Sequence, residues 1–144
     1  MKTTLVLPVL LSLMLPAVGT AAIQTETIDY QDGDTTLTGY LVYDDAIEGK
    51  RPGVLVVHEW WGLNDYAKKR AEMLAELGYV AFAADMYGDD RVTEHAEEAS
   101  GWMKQITANV DAWQRRALLG LDVLKTHERV EAGDLAAIGY CFGG

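Results

Sequence analysis

Apolar and polar positions change rhythm several times along the chain, and each change marks an element. Gln24 to Tyr30 and Thr35 to Tyr43 alternate with a period near two, with the turn pair Asp32-Gly33 between them, which predicts a β-hairpin. The polar stretch Asp44 to Pro52 delivers the chain into Val54-Leu55-Val56-Val57, a continuous apolar run of the kind that forms a strand buried on both faces of a sheet. From Asp65 to Leu77 the apolar residues Tyr66, Met73, Leu74 and Leu77 fall at helical spacing. Asn64 or Asp65 can cap that helix and Gly78 can end it. Tyr79 to Ala84 reads as a second buried strand, ending at Asp85. Strand, helix and strand then form a crossover unit, right-handed in nearly all known cases, whose two strands pair in parallel.

Beyond a loop from Met86 to Arg91, two helical patterns follow. One is capped by Thr93 and runs to about Ile106; the other spans about Val110 to His127 with Trp113, Ala117, Leu121 and Leu124 on one stripe. Gly120 inside the second costs about 1 kcal/mol relative to alanine, which close approach of helix to sheet would explain. Val130 to Asp134 reads as a turn and Leu135 to Gly139 as the last strand.

That strand runs into Gly139-Tyr140-Cys141-Phe142-Gly143-Gly144. Gly-x-nucleophile-x-Gly after a buried strand is the nucleophile elbow of an α/β-hydrolase. The apex residue sits in a strained backbone region, and glycines two residues to either side remove the collisions that would prevent the turn. The bland alternative is a free buried cysteine followed by a glycine turn; the preceding strand–helix–strand run favours the elbow. A phosphate-cradling turn is disfavoured, because neither a Gly-x-Gly-x-x-Gly run nor a P-loop lysine is present. In this fold one oxyanion donor is the N–H after the nucleophile, here Phe142. The other comes from the loop after the third strand, His58 to Leu63, which makes Trp60 the second candidate.

Length bounds the chain to one domain at most, and a composition half hydrophobic without low-complexity tracts is that of a folded protein. A formal charge of −10 argues against a nucleic-acid surface and against docking on anionic lipid, leaving small molecules as the expected partners. No cofactor or metal is expected, and the oligomeric state is open. Met1-Lys2, an apolar run from Leu5 to Leu15 and the small residues Ala17 to Ala22 have the three parts of a secretory signal peptide over residues 1–22. The run is short for a bilayer span and contains Pro8, with Pro16 just after it, so cleavage near Ala21 or Ala22 is expected to release a soluble exported protein, periplasmic or secreted. Cys141 is the single cysteine. In an oxidising compartment a lone thiol is open to mixed disulfides, so its place at an elbow apex is better explained by use than by packing.

Three segments together, His58-Glu59-Trp60-Trp61-Gly62, Ala84-Asp85-Met86-Tyr87-Gly88 and Gly139 to Gly144, resemble the dienelactone hydrolase family over nearly all of the expected mature chain, 23–144. The resemblance implies hydrolysis of a lactone or carboxylic ester through a Cys-Asp-His triad with Cys141 as nucleophile. It also implies a glutamate touching the resting thiol, and Glu59 matches that glutamate. A carboxylate beside a thiol can take its proton when substrate arrives, without keeping a permanently oxidisable thiolate. His58 reads as a partly buried loop histidine that holds the oxyanion loop; His95 and His127 read as solvated helix residues. The family's basic residue for a substrate carboxylate closely follows the Asp-x-Tyr strand end, whereas here Gly88-Asp89-Asp90 intervenes before Arg91.

Hydrolases of this fold run nucleophile, acid, histidine along the chain, and neither an Asp nor a His follows Cys141. The expectation is therefore an α/β-hydrolase fold truncated after the nucleophile elbow, with an N-terminal hairpin, parallel strands and crossover helices, and with its last strand as an open edge. The competing expectation is a catalytically silent binding module that keeps the fold without the triad.

Overall fold

A computed structural model describes residues 22–144. The signal-peptide reading falls, but for Ala22, outside the described residues. Strands β1 (Ile23–Asp32), β2 (Thr35–Asp44), β3 (Arg51–Val57), β4 (Val80–Ala84) and β5 (Val130–Gly139) form one sheet in the order β1-β2-β4-β3-β5. The hairpin and the β2/β4 pair are antiparallel, while β3 pairs in parallel with both β4 and β5. Helices α1 (Asp65–Glu76), α2 (Ala96–Thr107) and α3 (Val110–Thr126) complete the α/β layers. No helix among the described residues is long and apolar enough to cross a membrane.

The strict side-chain alternation of a strand divides the core in two. Leu55 and Val57 of β3 with Phe82 and Ala84 of β4 face α3, in a cluster that also holds Met86, Tyr87, Leu124 and Phe142. Val56, Ala81 and Ala83 face the other way, against Ala67, Ala71 and Ala75 of α1. Those three alanines correct the apolar stripe expected for α1. Tyr66, Met73 and Leu77 are exposed, and Leu74 only packs against the rim of that cluster. Methyl-sized side chains one turn apart let the helix lie close on a sheet surface that is itself alanine-rich. Large residues on the same face would hold it off. Asn64 caps α1 as expected, its Oδ1 accepting from Ala67 N at 3.1 Å. On the opposite face Gly120 has the expected reason to be glycine, because a Cβ there would lie 2.8 Å from the Cβ of Ala84.

Three boundaries move. The hairpin turn is Gly33-Asp34, one residue later than Asp32-Gly33, with Gly33 at φ 62° supplying the left-handed conformation. Thr93 does not cap α2: its Oγ1 accepts from His95 N while its own N–H donates to Trp61 O at 3.1 Å, which ties it to another loop and delays the helix to Ala96. The turn expected over Val130 to Asp134 lies inside β5. Arg51 pairs with Val130 and Gly53 with Leu135, so the intervening residues loop out of the ladder without breaking it. Beyond that bulge, Ala136, Ala137 and Ile138 are exposed, for among the described residues β5 pairs on one side only.

Candidate active site

Parallel pairing of β3 with β5 sets Val57 beside Gly139, and Tyr140 N–H donates to Val57 O at 3.2 Å, so both chains leave the sheet side by side at its carboxyl edge. From β3 comes the loop His58 to Leu63; from β5 comes a 3₁₀ turn over Cys141–Gly143. Cys141 is exposed, and its φ of 54° lies in the left-handed region that costs a non-glycine residue about 1–3 kcal/mol. The flanking glycines permit that turn. A Cβ on Gly139 would lie within covalent range of the Gly143 carbonyl, and one on Gly143 would lie 2.6 Å from Val57 O. Hydrogen bonds from Gly143 N to Tyr140 O at 2.9 Å and from Gly144 N to Cys141 O at 3.1 Å close it.

Beneath the thiol an aromatic floor fixes the elbow. Phe142 is buried and stacks on Trp113 with centroids 5.4 Å apart, on His58 at 5.9 Å, and tilts against Tyr87 at 5.4 Å. Trp102 meets Tyr87 edge-on at 5.7 Å. The Tyr87 hydroxyl donates to Trp60 O at 3.0 Å, and its pKa is raised first by burial and then by the nearby charge of Cys141. Tyr87 is therefore part of the site, although the sequence reading quoted it only as part of a motif. Its signal was the Asp-x-Tyr-Gly run at the end of an apolar strand.

Glu59 and Trp60 are half-buried on the loop opposite the elbow. The Glu59 carboxylate takes no part in the hydrogen bonds or ion pairs of the described residues. The N–H groups of Trp60 and Phe142 likewise meet no acceptor among the described residues. His58 is fully buried, not partly so. Its Nε2 accepts from Met86 N at 3.1 Å and its Nδ1 faces Glu59 O, and burial pushes its pKa below the ordinary value. Both ring nitrogens are thus occupied, and neither is left to accept a proton from the thiol. His95 is exposed as expected but stands at the cap before α2 and not on a helix, and His127, just beyond α3, is half-buried against the Tyr43 ring, at 5.4 Å.

Two further residues support the site from below. Asp85 is 2% exposed; its Oδ1 accepts from Tyr87 N and Gly88 N, both at 2.9 Å, and its Oδ2 from Thr38 N at 3.3 Å, which bends the chain sharply as β4 ends. Arg116 of α3 donates to the Met86 and Tyr87 carbonyls and, with Arg115, to the carboxylate of Asp32. Neither role was visible in the sequence, since each depends on partners 29 or more residues away in the chain, the turns at Tyr87 and Gly88 excepted.

The described geometry has close relatives. A model of the dienelactone hydrolase family matches residues 37–144. A crystal structure of a dienelactone hydrolase-like promiscuous phosphotriesterase from metagenomic libraries superposes with a TM-score of 0.81 at 43% identity, covering 85% of this chain and 51% of that one. A Synechocystis sp. protein named as a carboxymethylenebutenolidase is 27% identical over 131 residues, 87% of this chain and 52% of its own. A Bradyrhizobium sp. protein named as a 2-oxo-3-(5-oxofuran-2-ylidene)propanoate lactonase is 30% identical over 129 residues, 85% of this chain and 50% of its own. The chain spans about half the length of the curated relatives it matches.

Proposed function

Because this chain belongs to the dienelactone hydrolase family of hydrolases with an α/β-hydrolase fold, we propose that it carries the nucleophile-bearing part of a carboxylic ester or lactone hydrolase acting on a small molecule. Cys141 is the nucleophile, Glu59 takes its proton, and the Trp60 and Phe142 N–H groups hold the oxyanion. The observation that carries this reading is the backbone of Cys141, held at φ 54° between two glycines where any Cβ would collide. Such strain persists only where the surroundings enforce it, and it lifts the thiol clear of the sheet. Among the described residues the Glu59 carboxylate has no partner and the two N–H groups no acceptor, which supports the rest of the constellation, in a form ready for substrate.

In the acylation step the Sγ–H proton passes to Glu59, sulfur bonds to the ester carbonyl carbon, and the π pair moves onto oxygen beside the two N–H groups. Collapse of that intermediate expels the alcohol oxygen, which takes up a proton, and leaves a thioester on Cys141. Hydrolysis of the thioester needs a positioned base, and His58 is unsuited to that role because both of its nitrogens are engaged. The 144-residue chain is accordingly expected to acylate once and turn over poorly; loss of a triad histidine costs of order a million-fold in kcat in subtilisin.

A small chromogenic ester tests this on the full chain. A burst approaching one equivalent, absent in Cys141→Ala and slowed in Glu59→Gln, is the expected result. An equal burst in Cys141→Ala would overturn the nucleophile, and reversible ester binding without any burst would favour a silent binding module. We also propose export, on the N-terminal pattern alone: exported protein should begin near Ile23 by N-terminal sequencing, and intact Met1 in a membrane fraction would contradict it.

A further inference from the structure

Three consecutive carbonyls of the oxyanion loop are held, and each is held by a different device. Glu59 O faces the Nδ1 of His58 and also accepts from Gly62 N; Trp60 O accepts from the Tyr87 hydroxyl; Trp61 O accepts from Thr93 N. His58 is itself fixed by Met86 N–H. Every outside anchor therefore lies on the segment 86–93 that leaves β4, which Asp85, Arg116 and a bond from Asp89 N to Thr36 O fasten to the sheet edge.

In a planar trans peptide the C=O and the following N–H point in opposite directions. Drawing Glu59 O toward His58 thus turns the Trp60 N–H to the other side, where it meets no acceptor among the described residues. Met86 N–H needs a bare nitrogen at Nε2, so the hydrogen-bond partners assign the proton to Nδ1, the nitrogen that must donate to Glu59 O. Were the tautomer reversed, both contacts would be lost, with an N–H facing an N–H at one end and a lone pair facing a carbonyl at the other.

We propose that His58 is a positioning residue: as the Nδ1–H tautomer it presets the direction of the Trp60 N–H, with the post-β4 segment 86–93 as the frame that fixes it. Trp60 as an oxyanion donor rests on the proposed hydrolase reading; the control of its orientation does not. The peptide is oriented before any substrate arrives, so no reorganisation is required in the reaction.

Two substitutions separate the two bonds of the ring. Asparagine places an amide N–H where Nδ1 stood and abandons Met86; glutamine reaches Met86 N–H and leaves Glu59 O without its donor. A trifluoromethyl ketone is the probe: the Cys141 Sγ bonds to its carbonyl carbon, the thiol proton is released, and the resulting hemithioketal oxygen is read by ¹⁹F NMR. On the full chain, His58→Gln should weaken the adduct by up to roughly a hundredfold, the lower end of what outright loss of an oxyanion donor costs, and raise its oxygen pKa. His58→Asn should restore both. Equal adducts in wild type and His58→Gln would overturn the proposal.

Should the wild type form no adduct, the nucleophile reading fails while the inference is still decided by NMR alone. The ¹⁵N shifts of His58 must report Nδ1–H. The Trp60 N–H dipolar coupling must change in His58→Gln and return in His58→Asn. An Nε2–H tautomer or an unchanged coupling would overturn the proposal, and the tautomer measurement stands even if His58→Gln does not fold.

Discussion

Strands β4 and β5 carry nearly the same message in opposite surroundings. Val80 to Ala84 and Leu135 to Ile138 are both short apolar runs, and both pair in parallel with β3. Yet every residue of β4 is fully buried between α1 and α3, whereas Ala136, Ala137 and Ile138 of β5 are exposed. On the β4 side the sheet continues into the hairpin, and Asp32 at its end binds Arg115 and Arg116 of α3. On the β5 side the backbone ladder has no further partner among the described residues. An apolar run thus specifies how a strand tolerates burial, while the elements packed around it decide whether burial occurs. The site lies on the boundary between the two flanks, with the oxyanion loop leaving β3 and the elbow leaving β5.

The largest expected effect sharpens that contrast. Phe82→Ala should lower stability by about 3–5 kcal/mol, since Phe82 is 0% exposed and its ring meets Tyr30 at 5.8 Å. Ile138→Ala, at 37% exposure, should change it by less than about 1 kcal/mol. Urea unfolding of the two variants measures the difference; comparable losses would mean that β5 is covered in solution.

Next comes the lock on the closed flank. Hydrogen bonds from Arg115, and then from Arg116, hold the Asp32 carboxyl below its ordinary value of 3.8 against the opposing cost of burial. A carboxylate whose folded pKa is depressed contributes stability that is fully present above the ordinary value and is lost as pH falls through the folded one. Asp32→Asn should cost about 1–3 kcal/mol at neutral pH and flatten the loss of stability below pH about 4. Unchanged acid unfolding midpoints in the two proteins would show that the pair contributes nothing.

The order of elements and the elbow were legible from residues alone, because the patterns behind them are local. Alternation across the hairpin, the apolar run before His58, and glycines two residues to either side of Cys141 each act within a few positions. The α1 face was misread because its stripe is made of alanines, whose burial follows from the sheet surface opposite and not from their own hydrophobicity. Tyr87, Asp85 and Arg116 were not assigned roles for a related reason. Their contacts with Trp60, Thr38 and Asp32 join elements distant in the chain, and only the folded sheet edge brings those partners together. His58 stands between these cases: its place on the oxyanion loop was readable, whereas its tautomer became assignable only with Met86 in view.

The smallest effect on stability tests the open flank most directly. An unpaired ladder with apolar side chains is a template for another strand, and proteins blunt such edges with charge, lysine above all. Ile138→Lys places a cation on the exposed part of β5, where the side chain can reach solvent. Monomer stability should change by no more than about 0.5 kcal/mol. Self-association should nevertheless fall, seen as a lower weight-average mass by sedimentation at matched concentration. The paired substitution Ala83→Lys on the covered strand should instead unfold the protein, because Ala83 is 0% exposed and a lysine there would have neither partner nor water. If Ile138→Lys left association unchanged, another surface would be holding the copies together and the difference between β4 and β5 would not govern solubility. If it unfolded the chain as Ala83→Lys does, β5 would be buried in solution, and the contrast between the two strands would fail at its origin.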